Sequence, residues 1–178
     1  VVMLLAAAPV HRVGLDDPEV LTSRSSVASV RRRGRTVTVL GVSTPKAGDV
    51  LAPALATRAR VEAVGLPAMD AVLAVPDRVA LRQQLDLPMD RAVVVHLPLP
   101  RGGVQLDLDA WERRLGQRAY LVLAPGGATV PTRLRHAVRG LASHEHVQRM
   151  LGACDLVVSD YSPRIADAVL AGRPVVLY

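Results

Sequence analysis

Phenylalanine is absent from this chain, and one tryptophan and three tyrosines are all the aromatic side chains it has. Single-stranded nucleic acid is held largely by bases stacked on aromatic faces, so that class of partner finds no platform here. A lone cysteine, Cys154, excludes an internal disulfide, has no companion for a metal site, and reads as a small buried hydrophobe beside "DLVV". Lysine is almost missing as well: Lys46 is the only one among 22 basic residues. An excess of 22 basic over 16 acidic groups would ordinarily point to a phosphate-rich or membrane-surface partner. Arginine, alanine, valine, leucine and glycine dominate, however, as in proteins of GC-rich genomes, and codon bias accounts for much of that excess. No apolar run is long enough to span a membrane. "VVMLLAAAP" has the core and Ala-x-Ala end of a signal peptide but no preceding positive charge, and it reads instead as a buried strand. Beginning at Val1-Val2 and stopping on an apolar strand at Tyr178, the sequence reads as a segment of a longer protein.

What the 178 residues do contain is a regular alternation. Strands are expected at 1–8, "TVTVLGVS", "VEAVG", "RAVVVHLPLP", "AYLVLAP", "DLVVS" and "VVLY". Helices are expected in "LAPALATRAR", "VPDRVALRQQLDLP", "LDAWERRLGQ" and "HEHVQRMLGAC". The polar stretch "SRSSVASVRRRGR" reads as a solvated helix end or loop. Its "RRRGR" is either a charged turn or a patch for anionic lipid or nucleic acid. Strands alternating with helices predict an α/β protein with a parallel, doubly wound sheet. Three strands leave their core through Pro- or Gly-rich turns: "LPLPRGG", "PGGATVP" and "DYSP". Ligands of open α/β sheets bind at such carboxyl ends. No Walker or Gly-x-Gly-x-x-Gly signature is present.

The closing "SDYSPRIADAVLAGRPVVLY" is the most informative stretch. Ser162 suits an N-cap and Pro163 the first helical position. Ile165, Ala168 and Val169 recur at helical spacing, and Gly172 with Pro174 supplies the stop. A strand–helix–strand unit with polar residues at the strand's carboxyl end follows.

In full, "MLGACDLVVSDYSPRIADAVLAGRPVVLY" resembles the C-terminal half of the CDP-glycerol glycerophosphotransferase family, which builds teichoic-acid (polyol-phosphate) polymers. The family's Asp, Asp-Tyr-Ser-Ser, Asp and Pro-led strand correspond to Asp155, Asp160-Tyr161-Ser162-Pro163, Asp167 and Pro174. "VGLPAMDAVL" is similar to its Gly-aromatic-Pro-Arg-Asn-Asp segment. "RAVVVHLPLPRGG" is similar to its strand ending Tyr-Ala-Pro-Thr-x-Arg, through Pro98 and Arg101. "LLAAAPVHRVGLD" lines up with Trp-His-Gly-Thr-Pro-x-Lys-x-x-Gly-x-Asp, through Pro9 and Gly14-Leu15-Asp16. Order and spacing hold from about residue 5 to 178, with 20–60 poorly matched. "CDLVVS…AVLAGRPVV" by itself also suits other glycosyltransferases of the GT-B type.

The resemblance implies a GT-B fold of Rossmann-like domains. Residues 1–74 would be the C-terminal part of an acceptor-side domain, 75–89 a crossing, and 90–178 most of a nucleotide-donor domain. It implies CDP-glycerol or a related nucleotide as donor, and a lipid-linked polyol-phosphate acceptor. No cofactor is called for. The location implied is cytoplasmic, peripheral at the inner face of the membrane. A base would take a proton from the acceptor's terminal hydroxyl, the oxygen would attack the glycerol-bearing phosphate, and CMP would leave.

The matching residues depart from the family in one direction. The expected catalytic histidine is Ala6, the histidine of the family's His-Pro is Ala124, its Arg is Ala68, its Thr is Leu99, and its second Ser is Pro163. Arg101, Ser162 and Asp167 remain as expected substrate-binding residues. His96 is the best substitute base, ahead of His11. His144 and His146 diverge on a helix and form a solvated pair rather than a metal site. Removal of a general base alone costs roughly 10²- to 10⁴-fold. Three readings follow: an active transferase with displaced residues, a non-catalytic nucleotide-binding or scaffold relative, or another GT-B glycosyltransferase.

Overall fold

The computed structural model describes residues 1–4, 12–73, 77–99, 106–125, 129–143 and 145–178. The chain divides into two compact units, Val1–Pro67 and Ala68–Tyr178.

The first unit is built on a parallel three-stranded sheet, β1 (Val2–Leu4), β2 (Val39–Val42) and β3 (Arg60–Ala63), with β2 in the middle. Met3 lies beside Leu40, which in turn lies beside Val61. A 3₁₀ turn at Gly14–Asp16, a short helix α1 (Pro18–Leu21) and a long one α2 (Arg24–Thr36) join β1 to β2, and α3 (Pro45–Ala54) joins β2 to β3. Each helix has a side-chain cap. Asp17 accepts from the Glu19 amide, Ser23 from Ser26 and Thr44 from Ala47, while Pro18 and Pro45 open their helices where no N–H is needed. The stretch expected to be a helix end or loop is therefore thirteen residues of helix. Leu40, Val42 and Leu51 are sealed in the core, with Met3, Val13, Val37 and Leu55 against them. Gly34 marks the tightest seam. A Cβ there would lie 2.2 Å from the Leu55 carbonyl oxygen and 2.5 Å from that of Ala56, so only glycine lets α2 approach the end of α3.

The second unit contains α4 (Pro67–Leu73, beginning at the boundary), α5 (Arg78–Gln84), β4 (Ala92–Leu97), α6 (Leu108–Leu115), β5 (Ala119–Leu123), β6 (Val138–Gly140), α7 (Glu145–Ala153), β7 (Leu156–Ser159), α8 (Ile165–Leu170) and β8 (Val175–Leu177). Its strands form one parallel sheet in the order β6-β5-β4-β7-β8. The chain enters at the central β4, steps outward to β6, then returns to the other side of β4 for β7 and β8. β4 is covered on both faces: Val93 and Val95 on one and Val94 on the other are all buried. α8 ends in a Schellman motif. Gly172 takes φ +68°, its amide donates to the Val169 carbonyl, and the Arg173 amide donates to Ala168. Cys154 is fully buried, as expected of a small hydrophobe.

At the amino end of the sheet, one carboxylate gathers three donors. Asp155 accepts from Arg78 and Arg82 of α5 and from the Val93 amide at 2.7 Å. Both arginines also donate to the Ala153 carbonyl. Burial pushes the Asp155 carboxyl upward, but the Val93 amide and the two guanidiniums outweigh it and hold it below its ordinary value.

Candidate functional site

The direction of strand order reverses between β4 and β7, and in an open α/β sheet the carboxyl ends at that reversal flank the ligand crevice. Here those ends are His96-Leu97-Pro98-Leu99 and Ser159-Asp160-Tyr161-Ser162. Two side chains bind the exits together. The fully buried Ser159 hydroxyl donates to the Leu97 carbonyl at 2.7 Å and accepts from the Ser162 amide at 3.1 Å. Asp160 Oδ1 accepts from the Leu99 amide at 2.6 Å. Between them Tyr161 sits at φ +70°, a left-handed conformation that costs a residue with a Cβ roughly 1–2 kcal/mol.

Ser162 was expected to cap α8 and Pro163 to be its first residue. The helix begins instead at Ile165, with Arg164 in the cap position and no side-chain cap. The left-handed Tyr161 and the tie from the Ser162 amide to Ser159 turn the chain first. Ser162 contributes its carbonyl, which accepts from the Ile165 amide at 3.0 Å.

The polar groups at this edge are deeply packed. His96 is 2% exposed, Ser162 3% and Asp167 1%. His96 Nε2 is 2.6 Å from the Tyr178 hydroxyl, while its Nδ1 is buried without a partner among the described residues. Burial lowers the His96 pKa, an effect the charge of Asp160 partly offsets. Burial, with Asp160, raises the Tyr178 hydroxyl. The ring is therefore neutral at pH 7, and one nitrogen lacks its hydrogen-bond partner in either tautomer. Asp167, in the first turn of α8, has Oδ1 sealed from solvent with no donor among the described residues. Burial raises its carboxyl pKa, against a lowering by the Arg164 charge.

Of the residues singled out from sequence, His96, Ser162 and Asp167 lie in the unit built around this edge. Ala6, His11, Arg101 and His144 lie outside the described residues, as does the side chain of Ala68. Ala124, just past β5, is a buried methyl whose amide donates to the His96 carbonyl at 3.0 Å. His146 Nδ1 is 2.9 Å from the Ser143 hydroxyl, and no group of three metal-ligating side chains occurs among the described residues. Asp160 was visible as part of a motif without a role, and Ser159 only as the end of a strand. Tyr178, 82 residues from His96, offered no local signal. Among the described residues no helix is long and apolar enough to cross a membrane.

The whole chain, residues 1–178, matches the family model described as CDP-glycerol:poly(glycerophosphate) glycerophosphotransferase. The wall teichoic acid polymerase TagF superposes with a TM-score of 0.80 at 16% identity, over 97% of this chain and 48% of that one. A histidine-to-asparagine variant of TagF soaked with CDPG gives 0.81 at 17% identity, over 97% and 46%. A lipid-A-disaccharide synthase of Pseudomonas paraeruginosa is 34% identical over 134 residues, 66% of this chain and 34% of that protein. The chain thus spans about half the length of the solved structures and about a third of the curated relative. At these identities the structural likeness speaks to fold: parallel sheets with helices on both sides, α/β, of the GT-B type.

Proposed function

The chain belongs to the CDP-glycerol:poly(glycerophosphate) glycerophosphotransferase family, and from that premise we propose that it holds a nucleotide-linked donor at the carboxyl edge of β4 and β7 while transferring the donor's glycerol phosphate slowly or not at all. The observation that carries this reading is Asp167. A buried acceptor without a donor costs about 1–3 kcal/mol and calls for a reason, and the reason assigned here is a ligand that completes it. A hydroxyl of glycerol or ribose supplies the missing donor, and Ser162 and Arg101 take the phosphates. Residues 90–178 then serve the donor and residues 1–74 the acceptor, a lipid-linked polyol phosphate reached from the cytoplasmic side of the membrane.

Slow transfer follows from what the chain carries at two positions. The family's histidines correspond to Ala6 and Ala124, and a methyl group neither takes the acceptor's proton nor donates to a phosphate oxygen. His96 is neutral and in principle basic, but its Nε2 is engaged by Tyr178. It holds the edge together rather than reaching a substrate hydroxyl. A second reading, favoured by the 34% identity to lipid-A-disaccharide synthase, is transfer from a sugar nucleotide at the same edge.

Calorimetric titration of the purified protein with CDP-glycerol and with a UDP-sugar, with CMP and UDP release assayed on the same samples, tests both. CDP-glycerol binding without CMP release is the expected result. Binding with sustained CMP release would overturn the loss of catalysis. Binding and turnover of the UDP-sugar alone would establish the second reading, and binding of neither would sink both.

A further inference from the structure

The arginines of "RRRGR" have no part in the site above, and the fold gives them an arrangement. Arg24, Arg31 and Arg35 fall seven and four residues apart on α2. That spacing sets them within about 40° of one another around the helix and over about 16 Å along it. Two open grooves, of about 740 and 660 Å³, share Arg31 and Arg35. Arg58 lines the first, and Arg24 and Arg32 line the second. All five arginines are exposed, and among the described residues none makes a hydrogen bond or an ion pair. None of the five carboxylates of residues 1–67 pairs with these arginines among the described residues, and Glu62 pairs with Arg60 at 2.8 Å. Across residues 1–67, nine arginine and lysine side chains face five carboxylates. Unneutralised guanidiniums held in a row cost folding energy by mutual repulsion and are repaid by an anion of matching extent.

Three kinds of polyanion could answer that charge, and the surface favours one. Residues 1–67 contain no Phe, Tyr or Trp, so bases find no stacking platform. Helices that lie in a bilayer interface present a whole apolar face. Here Val27 and Val30 of α2 are half-buried, and Leu21 is the one large apolar side chain exposed among the described groove residues. We propose that the arginine face of α2 binds a linear phosphodiester polyanion without bases, the chemical class of a polyol-phosphate chain. The identity of the polymer rests on the function proposed above; the site does not.

The test is fluorescence anisotropy of the purified protein with labelled, deacylated poly(glycerol phosphate) at two salt concentrations. Phosphatidylglycerol vesicles and an oligothymidylate of equal charge are run in parallel. The polymer is expected to bind most tightly. The triple variant Arg24→Gln, Arg31→Gln, Arg35→Gln should weaken it about tenfold, at roughly 0.2–1 kcal/mol per exposed charge pair. Its log-log salt dependence should be shallower by about 2, at ~0.7 per phosphate neutralised. The triple Lys variant keeps the charge and should bind within about threefold of the parent, as expected for phosphates held as point charges. Equal binding by the Gln variant, retention on vesicles but not by the polymer, or oligothymidylate binding as tight as the polymer would each overturn the proposal. Polymer binding without CDP-glycerol binding would defeat the function proposed above and leave this site standing. The converse would defeat this site alone.

Discussion

If Asp167 is kept for a ligand, replacing it should make the empty protein more stable and the binding worse. The variant is Asp167→Asn, which preserves shape and removes the charge. Asn leaves an unpartnered polar atom at the sealed position, so what is relieved is the buried charge, about 1–3 kcal/mol at pH 7. Against this stands the favourable position of an acid in the first turn of α8, about 0.5 kcal/mol for so short a helix. The net expectation is a gain of about 1 kcal/mol, or ~2–4 °C in Tm. The pH dependence fixes the cause. Burial raises the folded-state pKa of Asp167, so the stability it contributes is full below about pH 4 and is lost as pH rises through the raised value. The advantage of the Asn variant should therefore be small near pH 4 and grow toward pH 8. Thermal unfolding followed by circular dichroism at several pH values measures this, and calorimetry with CDP-glycerol measures the loss of binding. A variant that is less stable at pH 8, or that binds the donor unchanged, would show that Asp167 is simply part of the packed edge.

Two further outcomes follow from the other end of the sheet. Asp155→Ala leaves the Val93 amide and the largely buried Arg82 without their acceptor and should cost about 2–4 kcal/mol in urea unfolding, screened somewhat because the carboxylate is a third exposed. Because the folded-state pKa of Asp155 is depressed, that contribution is present above about pH 4 and fades as pH falls through the lower folded value; parent and variant should converge in acid. Cys154, fully buried and with its thiol pushed up to about 11, should resist a disulfide reagent at pH 8 until urea opens the fold, and rapid native labelling would contradict the packing.

Long apolar runs were the legible part of the sequence. "RAVVVHLPLP", "AYLVLAP" and "DLVVS" all became strands of one parallel sheet, because burial on both faces leaves an unbroken apolar pattern. β6 was missed: three residues, "VRG", at the sheet's edge, carry too little pattern to separate from a loop. α2 was misread because Ser, Val and Gly are modest helix formers and its exposed side is mostly arginine. Its real signal was the spacing of Val27, Val30 and Gly34, one seam at i, i+3, i+7. The site was half legible. Asp167, Ser162 and His96 could be named from a motif and a strand end, but that their polar atoms are sealed depends on what packs over them. The ties of Asp155 to Arg78 and Arg82 span 77 and 73 residues, beyond any local pattern.

The strand that carries His96 is also the one that must wait. β4 pairs on one side with β5, whose Leu121 is 27 positions beyond Val94, but on the other with β7, whose Ser159 is 62 beyond Leu97. During synthesis its second edge stays bare while α6, β5, β6 and α7 are made, since closing the longer loop comes later and at greater entropic cost. An apolar edge open for that interval is the molecule's exposure to mispairing with other nascent chains. It ends when Ser159 reaches the Leu97 carbonyl and Asp155 the Val93 amide, so the bonds that shape the site and its opposite end are also the bonds that cover β4's second edge.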